Sequence, residues 1–171
     1  MLKLFAKSHT VKNWTKIIST KYNDIEFLGR ADDVATILGI TSNTEKAKIA
    51  EASIEAFGQS IGISSFEDAC DKLGISKILP NFDCFNGKKF LAEYQLTIII
   101  KVLNEGWYPN WEDGNENKYF PYFNLKGGFS YYATDCHITH TAVPSALYLK
   151  SEKLAVFCGK KFIHLYKDYY Q

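Results

Sequence analysis

With 171 residues, of which 46% are hydrophobic and 23% charged, and a formal net charge of +1, the chain has the composition of an ordinary globular protein and is too apolar for intrinsic disorder. A chain of this length buries roughly 70% of its unfolded surface, so it needs no metal or disulfide to fold. The balanced charge excludes coating of duplex DNA through bulk electrostatics, which takes a surplus of Lys and Arg, while leaving room for a local basic patch.

The elements follow from spacing. Over residues 10–22, Val11, Trp14, Ile17 and Ile18 recur at helical period, and residues 32–38 read as a second short helix closed by Gly39. Ser42 with Glu45 has the form of a capping box for a third helix, ending at Gly58, with Ala47, Ala50, Ile54 and Phe57 on its apolar stripe. Ser65 with Asp68 repeats that pattern for a fourth helix, stopped by Gly74. Residues 80–88 form a loop by their Pro, Asn, Asp and Gly content. Helical character resumes over residues 90–104 despite the β-branched run Thr97-Ile98-Ile99-Ile100, and Gly106 and Pro109 mark its end.

Beyond that point residues 119–125, 129–134 and 146–149 suit strands of a small antiparallel sheet, with Gly127-Gly128 as a hairpin turn. Ser151 caps a final helix to residue 169, whose stripe Ala155, Cys158, Phe162, Leu165 and Tyr169 is expected to pack on the sheet. The fold class is therefore α+β: a mostly helical first half, a small antiparallel sheet and a C-terminal helix.

The first residues, 1–6, are too short an apolar stretch for a secretory signal and are followed by Lys7. The longest apolar run, around residues 96–103, is interrupted by Thr97 and Lys101 and falls short of the ~20 residues of a membrane span. A cytoplasmic protein that is not inserted in a membrane is expected. Cys70, Cys84, Cys136 and Cys158 are widely spaced and form no C-x-x-C pair, so free thiols are expected.

The chemistry-bearing candidates are few. Trp107, Trp111, Tyr119, Phe120, Tyr122 and Phe123 concentrate large flat side chains where the helix hands over to strands. Such a block fills a core junction or presents a recognition surface. Strand period puts Tyr119, Pro121 and Phe123 on one face and Phe120 and Tyr122 on the other, with Tyr131 and Tyr132 on opposite faces of the next strand. An exposed tyrosine set could stack bases of a single-stranded nucleic acid, with Lys118 and Lys126 meeting phosphates. Against that stands the acidic approach loop of Glu105, Glu112, Asp113 and Glu116.

Cys136, His137 and His140 invite a zinc reading, with Asp135 or His164 recruited as a further ligand, but on a strand His137 and His140 point to opposite faces. A Cys136 nucleophile with His140 or His164 as base has no flanking oxyanion signal. No catalytic residue, metal or cofactor is assigned.

The segments Phe66-Glu67-Asp68-Ala69-Cys70, Leu73-Gly74, Leu79-Pro80, Leu103-Asn104-Glu105-Gly106-Trp107 and Pro109-Asn110-Trp111 stand in an order and spacing that continue through Lys118-Tyr119-Phe120-Pro121-Tyr122-Phe123, Gly128-Phe129-Ser130, residues 147–155, Gly159-Lys160-Lys161-Phe162 and Leu165-Tyr166-Lys167-Asp168. This pattern, over roughly the last two thirds of the chain, resembles an uncharacterised family found in Bacteroides and their prophages, which has no assigned activity. The resemblance implies a phage-linked setting in a bacterial host. The chain departs from the family where relatives read Tyr-Pro-Trp-Phe and it has Phe120-Pro121-Tyr122-Phe123, and where Val143-Pro144-Ser145-Ala146 replaces a segment that usually carries an Arg.

Residues 1–62 are accordingly read as a helical accessory region and residues 63–171 as an aromatic-rich α+β region. The leading functional reading is a non-enzymatic interaction module of a phage or mobile element whose partner is a protein. The alternative is single-stranded nucleic-acid binding through exposed aromatic residues, and the candidate binding residues are Trp107, Trp111, Lys118, Tyr122, Lys126, Tyr131 and Tyr132.

Overall fold

A computed structural model describes residues 43–171. The chain divides between Ser64 and Ser65 into two compact units. The helices expected over residues 10–22 and 32–38, and the Ser42 cap, lie outside the described residues.

In the first unit, helix α1 (Asn43–Ile61) runs past Gly58, because the glycine that adopts the left-handed conformation is Gly62, at φ 63°. Its amide donates to the Gln59 carbonyl at 3.2 Å and the next amide, of Ile63, to Gly58 at 2.9 Å. Ile49, Ala52, Ile54, Ala56 and Phe57 are buried, whereas Ala47, placed on the expected stripe, is exposed. The buried arc is wider than one stripe because it combines two rows, Ile49-Ala52-Ala56 and Ile54-Phe57, at steps of three and four residues.

The second unit opens with α2 (Phe66–Leu73), held by the expected capping box. The Ser65 amide donates to Asp68 Oδ2 at 3.0 Å and the Asp68 amide to Ser65 Oγ at 3.1 Å. Gly74 closes it at φ 64°. Helix α3 (Gly87–Leu103) begins three residues before the expected start, where the Gly87 amide donates to the Cys84 carbonyl at 3.0 Å. The β-branched run stays helical because Leu96, Ile99, Ile100 and Leu103 are buried, and tertiary burial outweighs a propensity deficit of a few tenths of a kcal/mol per residue, about 0.5 at most.

Strands β1 (Lys118–Asn124) and β2 (Ser130–His137) pair antiparallel, with Lys118 opposite His137 and Tyr122 opposite Ala133, and a bulge after Tyr122. Gly127 at φ 77° and Gly128 at φ 121° make the turn, as their pairing predicts. The third expected strand does not form. Residues Ser145–Leu147 close a 3₁₀ turn in which the Leu147 amide donates to the Pro144 carbonyl at 2.8 Å, and Leu149 alone reaches the sheet, exchanging two hydrogen bonds with Tyr119 at 2.8 and 3.0 Å.

The single C-terminal helix expected to residue 169 is two helices, α4 (Glu152–Lys161) and α5 (Ile163–Tyr170), broken at Phe162 with φ −106° and ψ 28°. The break sends them to different neighbours: α4 lies on the β1–β2 hairpin and α5 packs against α3. The expected positions Ala155, Cys158, Phe162 and Leu165 are buried, but Tyr166 takes the inward place expected for Tyr169. Gly159 lets α4 approach closely, since a Cβ there would stand 2.5 Å from Pro121 Cβ and 2.9 Å from the Tyr131 ring. The fold is α+β.

Candidate functional site

The loop between α3 and β1 is built around a buried cation. Lys118 has no solvent exposure. Its Nζ donates to the carbonyls of Glu116 at 2.8 Å and Asp113 at 3.2 Å, stands 3.1 Å from Glu116 Oε2, and lies 5.6 Å from the centroid of the Trp111 ring. Glu116 also accepts from the Trp107 indole N–H at 2.8 Å and from the Asn110 amide at 2.9 Å. Partial burial pushes the Glu116 carboxyl upward, but these donors and the Lys118 ammonium together outweigh it and hold the group below the usual carboxylate range. Lys118 therefore offers nothing to a phosphate, contrary to the sequence reading. A charge at the first position of a strand that leads into a core is satisfied within its own loop.

Both tryptophans of this loop are half-buried and pinned. Trp107 is tied to Glu116, and Trp111 donates from Nε1 to Ser145 Oγ at 3.3 Å and meets the Tyr148 ring edge-on at 5.3 Å. Asn104 anchors the start of the loop from a buried position. Its Nδ2 donates to the Tyr148 carbonyl at 2.8 Å while its Oδ1 accepts from the Lys150 amide at 3.0 Å, so one amide side chain takes the place of a neighbouring strand. Lys150 Nζ in turn meets Glu105 Oε2 at 2.5 Å. The chain turns here through Glu105 at φ 49° and Gly106 at φ 87°. The Leu103-Asn104-Glu105-Gly106-Trp107 signature is thus a structural device that closes α3 onto residues 148–150.

The hairpin sorts its aromatics by face. Phe123 is buried, stacks with Phe129 at 4.9 Å and meets the Tyr166 ring at a tilt at 4.7 Å, and Tyr131 lies half-buried beneath α4 with its hydroxyl 2.8 Å from Thr134 Oγ1. On the other face Phe120 packs edge-on against Tyr148 at 5.5 Å and His137 at 5.0 Å. One step further along β1 that cover ends. Tyr122 is 54% exposed and Tyr132 70% exposed, their rings edge-to-face at 6.2 Å. The bulge places them together, because Tyr132 is the unpaired residue between the Tyr122–Ala133 and Phe123–Tyr131 pairs. Lys126, in the turn, is exposed. Of the seven candidate residues, Tyr122, Tyr132 and Lys126 stand at the surface, Trp107, Trp111 and Tyr131 are half-buried, and Lys118 is buried.

The Cys/His cluster does not converge. Among the described residues no group of three or more His, Cys, Asp or Glu is placed to hold a metal ion. His137 is engaged with the Phe120 ring and, at 3.4 Å, with the Tyr148 hydroxyl, while His140 pairs with its neighbour Thr139 at 3.1 Å. All four cysteines are free. Among the described helices none is long and apolar enough to cross a membrane.

Two features escape the sequence reading. Residues 75–90 expose Ile75, Ile78, Leu79, Phe82, Phe85 and Phe90, with Phe85 fully in solvent in the turn into α3. Phe82 and Phe85 fall in, and Leu79 borders, a stretch classed as a loop on its Pro, Asn, Asp and Gly content, and the signal that could have found them is their own apolarity. The second is a cleft of about 250 Å³ between the C-terminal turn of α3, the Trp107-Tyr108 wall and the 3₁₀ turn. No protein-family model matches this chain, and no curated protein or solved structure is significantly similar to it.

Proposed function

We propose that the chain is a non-enzymatic protein-interaction module, an accessory protein of a phage or mobile element acting in the bacterial cytoplasm, and that it docks a protein partner through the open face of its hairpin. The observation carrying this reading is the Tyr122–Tyr132 pair, two large rings left in solvent at 54% and 70% exposure in a unit that buries Phe120, Phe123, Tyr148 and Tyr166. Tyrosine at such a position supplies wide contact area with few rotatable bonds, which is why it anchors interfaces. The phage setting rests on the family resemblance of the sequence.

Single-stranded nucleic-acid binding is the second reading, supported by the same two rings and the nearby exposed Lys126. It is weakened by the burial of Lys118, which removes one of its two expected phosphate contacts. One comparison separates the two. Quantitative co-purification from host cells with the wild type and the Tyr122→Ser/Tyr132→Ser variant should show a protein enriched by the first and severalfold depleted with the second. If the variant retains every enriched protein, the docking reading fails. Saturable binding of labelled single-stranded DNA below millimolar concentration, lost in the same variant, would put the nucleic-acid reading in its place.

A further inference from the structure

The cleft at the end of α3 is built from pinned parts. Its Trp107 wall is held by Glu116, its floor residue Asn104 is committed to Tyr148 and Lys150, and its Ser145 hydroxyl accepts from Trp111. What remains to meet a ligand is the apolar surface of Trp107, Tyr108 and Ala146, the Thr97 side chain, the O–H of Ser145, and Lys101. Glu105 and Glu116, the acidic residues tied into this corner, already have cations in Lys150 and Lys118. Lys101 is exposed and makes no ion pair among the described residues. An apolar cavity of about 150 Å³ takes up benzene, and drug-sized ligands need about 300 Å³ or more. At about 250 Å³ this cleft suits one or two fused rings.

We infer that the cleft binds a planar aromatic group bearing a carboxylate, the ring against Trp107 and Ala146 and the anion at Lys101. The carboxylate also meets a cost, since the last-turn carbonyls of α3 carry partial negative charge, so the net preference for an anion is modest. A free aromatic acid and the C-terminal aromatic residue of a peptide both carry this chemistry.

The test is a set of titrations of the full chain followed by amide NMR shifts. The probes are 2-naphthylacetate, the ammonium analogue 2-(2-naphthyl)ethylamine, and acetyl-Gly-Gly-Phe with a free terminal carboxylate. Saturable shifts at Thr97, Trp107, Tyr108 and Ala146 are expected with a carboxylate probe, with binding about threefold weaker for the ammonium analogue, the scale of one exposed ion pair. Lys101→Gln, a change on an exposed helix position, should remove that difference, and Ala146→Leu, which fills the cleft, should abolish binding while leaving the melting transition in place. The tighter of the two carboxylate probes names the source. Absence of saturable shifts with both carboxylates, equal affinity for the two charges, or an unchanged preference in Lys101→Gln each overturns the inference.

Discussion

The Glu116 carboxylate and the Lys118 ammonium stand 3.1 Å apart, with the lysine sealed from solvent and the glutamate at the edge. A buried cation with one partner removed leaves an uncompensated charge, which costs about 3 kcal/mol or more. Glu116→Gln is therefore expected to lower stability by about 3 kcal/mol, and Glu116→Gln/Lys118→Met to recover a large part of it by removing the stranded charge. Denaturant unfolding of the three proteins checks this; a double variant less stable than Glu116→Gln would show that the ammonium is not the source of the cost.

The same pair sets an acid limb. Because the folded Glu116 carboxyl is held below its ordinary value near 4.5, its contribution is present above that value and is lost as pH falls through the lower folded one. Thermal melts between pH 6 and acid conditions, of the order of pH 3, should fall less steeply for Glu116→Gln than for the wild type. Parallel curves would contradict this assignment.

Gly159 sits within a helix, where glycine costs up to about 1 kcal/mol relative to alanine. Here the missing Cβ admits Pro121 and Tyr131 at distances no side chain would tolerate. Gly159→Ala should destabilise by about 1–3 kcal/mol through overpacking, despite the gain in helix propensity. A more stable variant would mean that α4 moves off the hairpin freely.

Thiol reactivity should differ sharply between Cys84 and Cys158. Burial pushes the Cys158 thiol up to about 12, against the opposing effect of the Tyr166 hydroxyl 3.5 Å away, whereas Cys84 is exposed. Only the thiolate is nucleophilic. Mass spectrometry after brief alkylation at mildly basic pH should find Cys84 modified and Cys158 intact until denaturant is added. Rapid labelling of Cys158 in the native protein is the result that counts against the packed α4–α5 corner.

Tyr122→Ser/Tyr132→Ser should leave stability within about 1 kcal/mol of wild type, since the change removes one exposed ring pair and little burial. Calorimetry checks this beside the co-purification comparison. A cooperative unfolding loss much larger than that would show the rings to be structural after all.

The parts of the fold legible in the sequence are those with a local cause. Ser65 and Asp68 satisfy each other's amides across three residues, Gly74 takes the left-handed conformation that ends α2, and Gly127-Gly128 turn the hairpin. Each signal acts within a few residues, so reading it requires no knowledge of what packs nearby. The periodicity of Ala155, Cys158, Phe162 and Leu165 likewise marked an inward stripe, although not the break at Phe162 that redirects it.

What residues 146–149 become, whether Lys118 meets solvent, and which aromatic ring stays uncovered were decided only in three dimensions. Alternation along β1 separates two faces but cannot say where Tyr148 stops covering one of them, and that boundary falls between Phe120 and Tyr122. The amino-acid order by itself determined the capping box and glycine stop of α2 and the two-glycine turn of the hairpin, because each is closed by contacts within a few residues. The division of the aromatic rings between core and surface came from contacts such as Asn104 to Tyr148 and Trp111 to Ser145, made between residues far apart in the chain, whose geometry exists only once the unit has folded.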